Sequence, residues 1–317
     1  MSSQTPTIAC IGGIDIDRKA RVIDAVRPGT SNPVRVTSCA GGVAGNVARN
    51  LAHLGSSVAL FSIVGSDPAG DDLLSELRSL RMDVSSMRRS AHRPTASYTA
   101  VLDPQGQLFI GLADMEIFQE LDPAWADALA PRLANCAFWV VDANLPAATI
   151  ERLLNAHKGG ALVLADPISI AKSVRFGNVL SKIDVFFPNR LEAAQLTGLT
   201  VHSRDDVVRA AAELRRLGVG TVVLTLGDDG IYLASAGASK FLPAIPPAKI
   251  VDVTGAGDAL LAAYVFGLLS GGADDPALFG LAAASFALES DQSVAESLTP
   301  DLLRRRIESN LAPRTRL

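Results

Sequence analysis

The apolar positions of the chain fall into two periods. Short runs with few polar interruptions stand at 7–13, 58–64, 137–142, 161–166, 184–187 and 221–226, the form a strand takes when both faces of a parallel sheet are covered. Between them the apolar residues return every three or four positions and predict helices. One follows Gly41-Gly42, with Val47, Leu51 and Leu54 on one face before Gly55, and another runs through Leu80. Further helices are expected at 123–134, 147–158, 169–181, 190–197 and 203–217. In the last, Ser203 is the cap, Asp206 sits three residues on, and Val207, Ala211, Leu214 and Leu217 share a face ahead of Gly218. Residues 93–101 and 107–112 alternate instead, around the turn-forming Asp103-Pro104-Gln105-Gly106. The segment 19–36, with Pro28, Gly29 and Asn32-Pro33, reads as short strands and turns. These segments predict a small separate sheet, a lid over about 18–38 and 93–113, on one α/β domain spanning 1–317. The strand–helix alternation from residue 122 onward argues for a parallel sheet covered on both sides.

Composition narrows the class. With 48% hydrophobic residues the 317-residue chain can bury a sizeable core, and a net charge of −4 gives no reason to expect nucleic acid or an anionic membrane as partner. Cys10, Cys39 and Cys136 are odd in number and contain no Cys-x-x-Cys pair, which suggests reduced thiols in a cytoplasmic protein. The opening MSSQTPTIAC has neither the basic nor the apolar region of a signal peptide. The longest apolar run, 259–269, is too short to cross a bilayer. The four histidines, at 53, 92, 157 and 202, show no metal-ligand spacing.

The densest chemistry lies in Val251-Asp252-Val253-Thr254-Gly255-Ala256-Gly257-Asp258, followed at once by an apolar helical run. The glycines permit a tight turn, and the unpaired N–H groups of the helix start point back over it, with partial positive charge suited to an anion. Asp258 either caps that helix or accepts the proton of an attacking hydroxyl. Gly41 and Gly42 give close backbone approach ahead of Asn46. Asp15 and Asp17, two apart at the end of the first strand, would share a face and suit vicinal hydroxyls, or form a solvated turn. Polar residues close the later strands, at Asp142-Ala143-Asn144, Asp166-Pro167 and Pro188-Asn189, where an open α/β sheet forms its ligand crevice. Asn189 and Glu192, one helical turn apart, could organise hydrated Mg2+ and phosphate, act as a capping box, or both. Thr225, Gly227 and Gly230 suit a nucleotide or a plain hairpin turn.

Five of these motifs in order, GGIDID, GGVAGNVARNLAHLG, PNRLEA, TLGDDG and DVTGAGDALLAAY, resemble the ribokinase-like (PfkB) sugar and nucleoside kinases over nearly the whole chain. The resemblance implies a Rossmann-like three-layer sandwich with a β lid that often pairs subunits into a homodimer. It also implies transfer of the γ-phosphoryl of ATP to a primary hydroxyl. By motif, Asp258 is the base and Gly255, Ala256 and Gly257 the anion hole. Asp17, Gly41, Gly42 and Asn46 bind the sugar, with Asp15 where the family often has Asn. Asn189 and Glu192 serve Mg2+ and phosphate, Thr225, Gly227 and Gly230 the ATP, and the Asp252–Thr254 region a monovalent cation such as K+. Ser31-Asn32-Pro33, Ser97-Tyr98, Ala113-Asp114-Met115, Asp142-Ala143-Asn144 and Asp166-Pro167-Ile168-Ser169 resemble the pseudouridine-kinase subgroup. On that likeness Asn32, Ser97, Asp114 and Asn144 would face a nucleobase. The alternatives are another kinase of the family, acting on ribose, fructose or a purine nucleoside, or a ligand-binding regulator on the same fold.

Overall fold

A computed structural model describes residues 7–271, 275–295 and 297–311. The strands are β1 (Ile8–Ile11), β2 (Asp15–Val22), β3 (Val34–Gly41), β4 (Val58–Phe61), β5 (Ile63–Gly65), β6 (Arg88–Ser90), β7 (Ser97–Leu102), β8 (Leu108–Asp114), β9 (Phe138–Asp142), β10 (Leu162–Asp166), β11 (Val185–Phe186), β12 (Thr221–Thr225), β13 (Ile231–Ala234) and β14 (Ser239–Leu242). Eight of them form the main sheet in the order β14-β13-β12-β11-β10-β9-β1-β4. It is parallel from β12 to β4 and antiparallel at β13 and β14.

The period-two alternation along β1 divides the core. Ile8 and Cys10 face a layer built on the helices Val43–His53, Ala256–Ser270 and Pro276–Ala287. Ala9 and Ile11 face another, built on Pro123–Leu133, Ala147–Ala156 and Arg204–Arg216. This is the three-layer architecture expected of covered parallel strands. The chain leaves β1 toward β4 on one side and returns to β9 on the other, so the carboxyl ends of β1 and β9 flank a switch-point crevice. Among the described residues no helix is long and apolar enough to cross a membrane.

A second sheet, β3-β2-β7-β8, falls on the segments predicted for the lid. Its hairpin closes where expected, with Gly106 N–H donating to the Asp103 carbonyl at 2.9 Å. Three local expectations are corrected. The apolar run 58–64 is two strands, β4 and β5, because β5 leaves the main sheet to pair with β6. The helix predicted over 169–181 is α-helical only at Ile170–Ser173 and continues as a 3-10 helix, Val174–Lys182. Asp15 and Asp17 do not extend the first strand. They open β2, and Gly12 and Gly13 separate the two strands.

Candidate active site

At the carboxyl edge, glycines bring strand ends into contact. A Cβ on Gly12 would stand 2.3 Å from the Asp142 carboxyl, and one on Gly13 would stand 2.2 Å from Asn144 Nδ2, so only glycine fits. Fully buried Asp142 accepts the N–H groups of Gly13 (2.9 Å), Ala44 (2.8 Å) and Asn144 (2.7 Å). One carboxylate thereby ties β1 and β9 to the start of the helix Val43–His53. That helix opens at Gly42 with φ +82°, and a Cβ there would lie 2.6 Å from the Gly13 carbonyl. One turn in, Arg49 donates to Asn46 Oδ1 (3.2 Å), which fixes the amide so that Asn46 Nδ2 donates to Asp258 Oδ2 (2.8 Å).

Asp258 stands in the first turn of the helix Ala256–Ser270. The helix opens at Gly255, with φ +80°, where a Cβ would stand 2.1 Å from the Ser293 carbonyl. Gly257 differs, since a Cβ there meets no protein atom within 4 Å. Asp258 is half-buried, and its open side meets a cavity of about 180 Å3 lined by Val43, Asp166, Phe187, Asn189, Glu192 and Gly257. Burial pushes its carboxyl up to about 7. The charges of Asp142 and Asp17 add to the rise, and the Asn46 hydrogen bond and Arg49 oppose it. A carboxylate poised there is suited to take a proton at neutral pH.

The candidate sugar ligands meet the same cleft from the second sheet. Asp15 pairs with Gly41 and Asp17 with Cys39, and a Cβ on Gly41 would collide with both carboxylates, at 2.5 and 2.3 Å. Asp15 is buried, and its Oδ1 has no hydrogen-bond partner. Burial, and then the charge of Asp17, raise its carboxyl well above the usual range. Burial also raises Asp17, against the pull of Lys19. Asn144 accepts at Oδ1 from Lys172 Nζ (2.6 Å), beside a cavity of about 140 Å3 that also meets Ala113, Glu116, Gln119 and Arg175.

Asn189 and Glu192 form a reciprocal capping box. Asn189 Oδ1 accepts from the N–H groups of Leu191 (2.9 Å) and Glu192 (3.0 Å), and Glu192 Oε2 accepts from Asn189 N–H (2.8 Å). Thr225, Gly227 and Gly230 do form the turn between antiparallel strands, and they line an apolar cleft of about 470 Å3 with Ile245, Leu260 and Leu281. Ala256 and Gly257 close its other side.

The structure leaves out three predicted residues. Asn32 spends its amide closing the turn between β2 and β3, bonding Arg27 N–H (2.8 Å) and the carbonyls of Arg27 (2.9 Å) and Thr30 (3.0 Å). That turn lies beyond Val22, about 23 Å along the strand from Asp15 at the usual rise per residue. Ser97 and Asp114 reach the correct end of the sheet but stand in register with Ile16. Side chains alternate between faces, so both point away from Asp15 and Asp17, and the row that shares the Asp17 face is Tyr98 and Ala113.

Sequence reasoning missed Lys172 and Arg175 as site residues, and placed Asp166 at the crevice without giving it a role. In the helix expected over 169–181, Lys172 would fall in the first turn, where a cation opposes the dipole, and that was the available signal; in the structure the α-helical part is the single turn Ile170–Ser173. Asp166 lines the cavity beside Asp258, and burial together with the charges of Asp258 and Glu192 raises its carboxyl well above normal. Next to it, β-branched Ile168 is held at φ +65° and donates its N–H to Asp166 at 2.7 Å, a strained arrangement of the kind found at functional sites.

The glycine turn thus separates an apolar cleft suited to a flat ring from a polar cleft suited to hydroxyls, with a basic carboxylate between them. That arrangement suits phosphoryl transfer to an alcohol. The chain belongs to the pfkB family of carbohydrate kinases, which its residues 5–300 match. It is 30% identical over 255 residues to the pseudouridine kinase of Escherichia coli (strain K12), covering 80% of this chain and 81% of that protein. It is 27% identical to the guanosine-inosine kinase of Exiguobacterium acetylicum, covering 93% and 98%. The solved structure of Arabidopsis thaliana ribokinase complexed with ribose and ATP shares the fold with a TM-score of 0.84 at 22% identity, covering 96% of this chain and 99% of that one.

Two ions implied by the resemblance fare differently. For Mg2+, Asp166, Glu192 and Asn189 supply oxygen donors around one cavity, where burial raises both carboxyls and the charges of Asp258 and Glu192 add to the rise at Asp166. Among the described residues no three acidic, His or Cys side chains converge tightly enough to hold a bare ion. The donor set therefore fits an ion that keeps its waters. For a monovalent cation at Asp252 the fit fails. Asp252 Oδ1 accepts Thr254 N–H (2.8 Å), and Oδ2 is paired with the ammonium of Lys19.

Proposed function

We propose that the protein transfers the γ-phosphoryl of ATP to the 5′-hydroxyl of pseudouridine, within a single kinase domain whose second sheet serves as the lid. The adenine would lie in the apolar cleft at Thr225, Gly227 and Gly230, and the ribose hydroxyls would bond Asp15, Asp17 and Asn46 beneath Gly41 and Gly42. Asp258 takes the hydroxyl proton as the oxygen bonds to the γ-phosphorus, and the bond from that phosphorus to the bridging oxygen breaks to leave ADP. The N–H groups of the 255–257 turn hold the charge that builds on the moving phosphoryl. A hydrated Mg2+ held by Asn189 and Glu192 would neutralise phosphate charge.

The observation that favours a nucleoside over a free sugar is the small polar cavity beyond Asn144. Lys172 and Arg175 offer donors there, while Glu116 and Gln119 offer acceptors. Pseudouracil presents carbonyls and N–H groups that need both, and an unmatched polar group in a closed site costs about 1–3 kcal/mol. The exposed apolar residues Val34, Val36, Ile110 and Leu112 of the second sheet support a homodimer formed through the lid.

The test is ADP release with Mg-ATP against pseudouridine, uridine, guanosine, ribose and fructose. Turnover highest by kcat/KM with pseudouridine is expected. A free sugar as the best acceptor would keep the base and discard the role given to the Lys172 cavity, and a purine nucleoside would favour the guanosine-inosine reading. Binding without ADP release would replace the kinase by a regulator.

A further inference from the structure

Lys19 and Asp252 are separated by 233 positions in sequence, and their ion pair joins the second sheet to the segment that delivers the glycine turn. The surroundings make it a joint rather than a loose surface bridge. Each side chain keeps only about a fifth of its surface exposed, 23% for Lys19 and 21% for Asp252. Lys19 shares the face of β2 that carries Asp15 and Asp17. Beside it, Ser293 Oγ donates to Asp17 at 3.5 Å and lies 3.7 Å from Cys39 Sγ, while the Ser293 backbone packs under Gly255. Asp252 N–H donates at 3.4 Å and Val251 N–H at 2.8 Å to the Leu288 carbonyl, holding that segment from the other side. Burial acts to raise the Asp252 carboxyl, yet the hydrogen bonds from Lys19 and Thr254 bring it below its ordinary value.

We propose that the Lys19 ammonium is the built-in cation of Asp252: it occupies, from the lid strand, the position that the resemblance gives to a monovalent ion, so that this kinase works without K+. The inference rests on the kinase reading for its functional half only. A tethered ammonium carries the charge of a potassium ion and three directed donors, and it needs no binding equilibrium. It also ties the charge balance at the 255–257 turn to the second sheet, because the cation is carried on β2.

The experiment compares the full-length protein and Lys19→Met in KCl and in tetramethylammonium chloride at equal ionic strength, reading the thermal unfolding midpoint and ADP release. For the wild type, the midpoint should be the same in both salts and turnover should agree within about twofold, since screening is matched. Lys19→Met should lose about tenfold or more in tetramethylammonium, the scale of a lost charge-assisted hydrogen bond. In KCl it should recover in both readouts with a saturable dose response. A saturable K+ shift of the wild-type midpoint overturns the proposal, and so does a Lys19→Met protein that is indifferent to K+. Should Lys19→Met fail to fold, the wild-type titration still decides, and Lys19→Arg, which keeps the charge, should remain indifferent to K+. Absence of turnover with every acceptor would remove the kinase reading while leaving the unfolding titrations intact.

Discussion

Two helices of this protein begin in the same way and are used differently. Val43–His53 opens on Gly42 and Ala256–Ser270 on Gly255, both glycines have positive φ, and neither helix has a side-chain cap at its first position. In the first helix the N-terminus is already filled by the protein's own anion, since Asp142 accepts Ala44 N–H. In the second, Gly257 faces open space between the two clefts. A helix start attracts negative charge whatever its source. Here one start binds a resident carboxylate and so positions Asn46, and the other stands open, where the proposed reaction would place a phosphoryl group. On the proposed reading both glycine-led helices are anion sites, and the neighbouring strand end decides whether the anion is internal.

The comparison breaks most sharply at Asp258. Asp258→Asn should lower turnover by about two to four decades while calorimetry shows ATP still binding, because the apolar cleft is untouched. Near-normal turnover would return Asp258 to a capping role.

Alanine scanning of the glycines separates the two helix starts. Gly42→Ala forces a side chain onto strained backbone at positive φ, a cost of about 1–3 kcal/mol, and drives its Cβ to 2.6 Å from the Gly13 carbonyl, so chemical denaturation should show a clear loss of stability. Gly257→Ala should instead be neutral or stabilising by about 0.5–1 kcal/mol, as for glycine inside a helix. Its methyl projects where a phosphoryl would sit, and turnover should fall by at least about tenfold, because ångström misplacement at the reacting centre is costly. Equal stability losses in both variants would end the distinction.

Asp142→Asn tests the filled start. Both Asp142 oxygens accept backbone N–H groups, so an amide must turn a donor toward a donor. The expected loss of stability is about 1–3 kcal/mol, with a rise in KM for the acceptor as Asn46 shifts.

These contrasts explain what the sequence disclosed. Capping boxes at Asn189 and Ser203, the helix faces and the glycine turn were legible because each depends on residues within one turn of one another. Ser97 and Asp114 were misread because their face depends on the register of β7 against β2, which no local period encodes. Asn32 was misread because a polar residue that closes its own turn looks, in sequence, like one reaching for a ligand. Lys172 meeting Asn144, and Lys19 meeting Asp252, are separated by 28 and 233 positions. Their charges acquire meaning only once the sheets are in place.

The smallest effect is a pH profile, and it separates a working carboxylate from a cap. Burial sets Asp258 near 7, and the base acts only when ionised, so kcat/KM should rise as pH increases through about 7 and fall about tenfold per pH unit well below it. Stability should run the other way. The folded state retains a proton on Asp258 that the unfolded chain releases near the ordinary carboxylate value. Folding is therefore favoured at low pH and loses ground as pH climbs from about 4 toward 7, and Asp258→Asn should flatten that slope in the ligand-free protein. Because the Asn46 hydrogen bond holds the carboxyl down, Asn46→Ala should move the rise in kcat/KM to higher pH. A profile that stays in place in Asn46→Ala would mean that Asp258 is not the group being titrated.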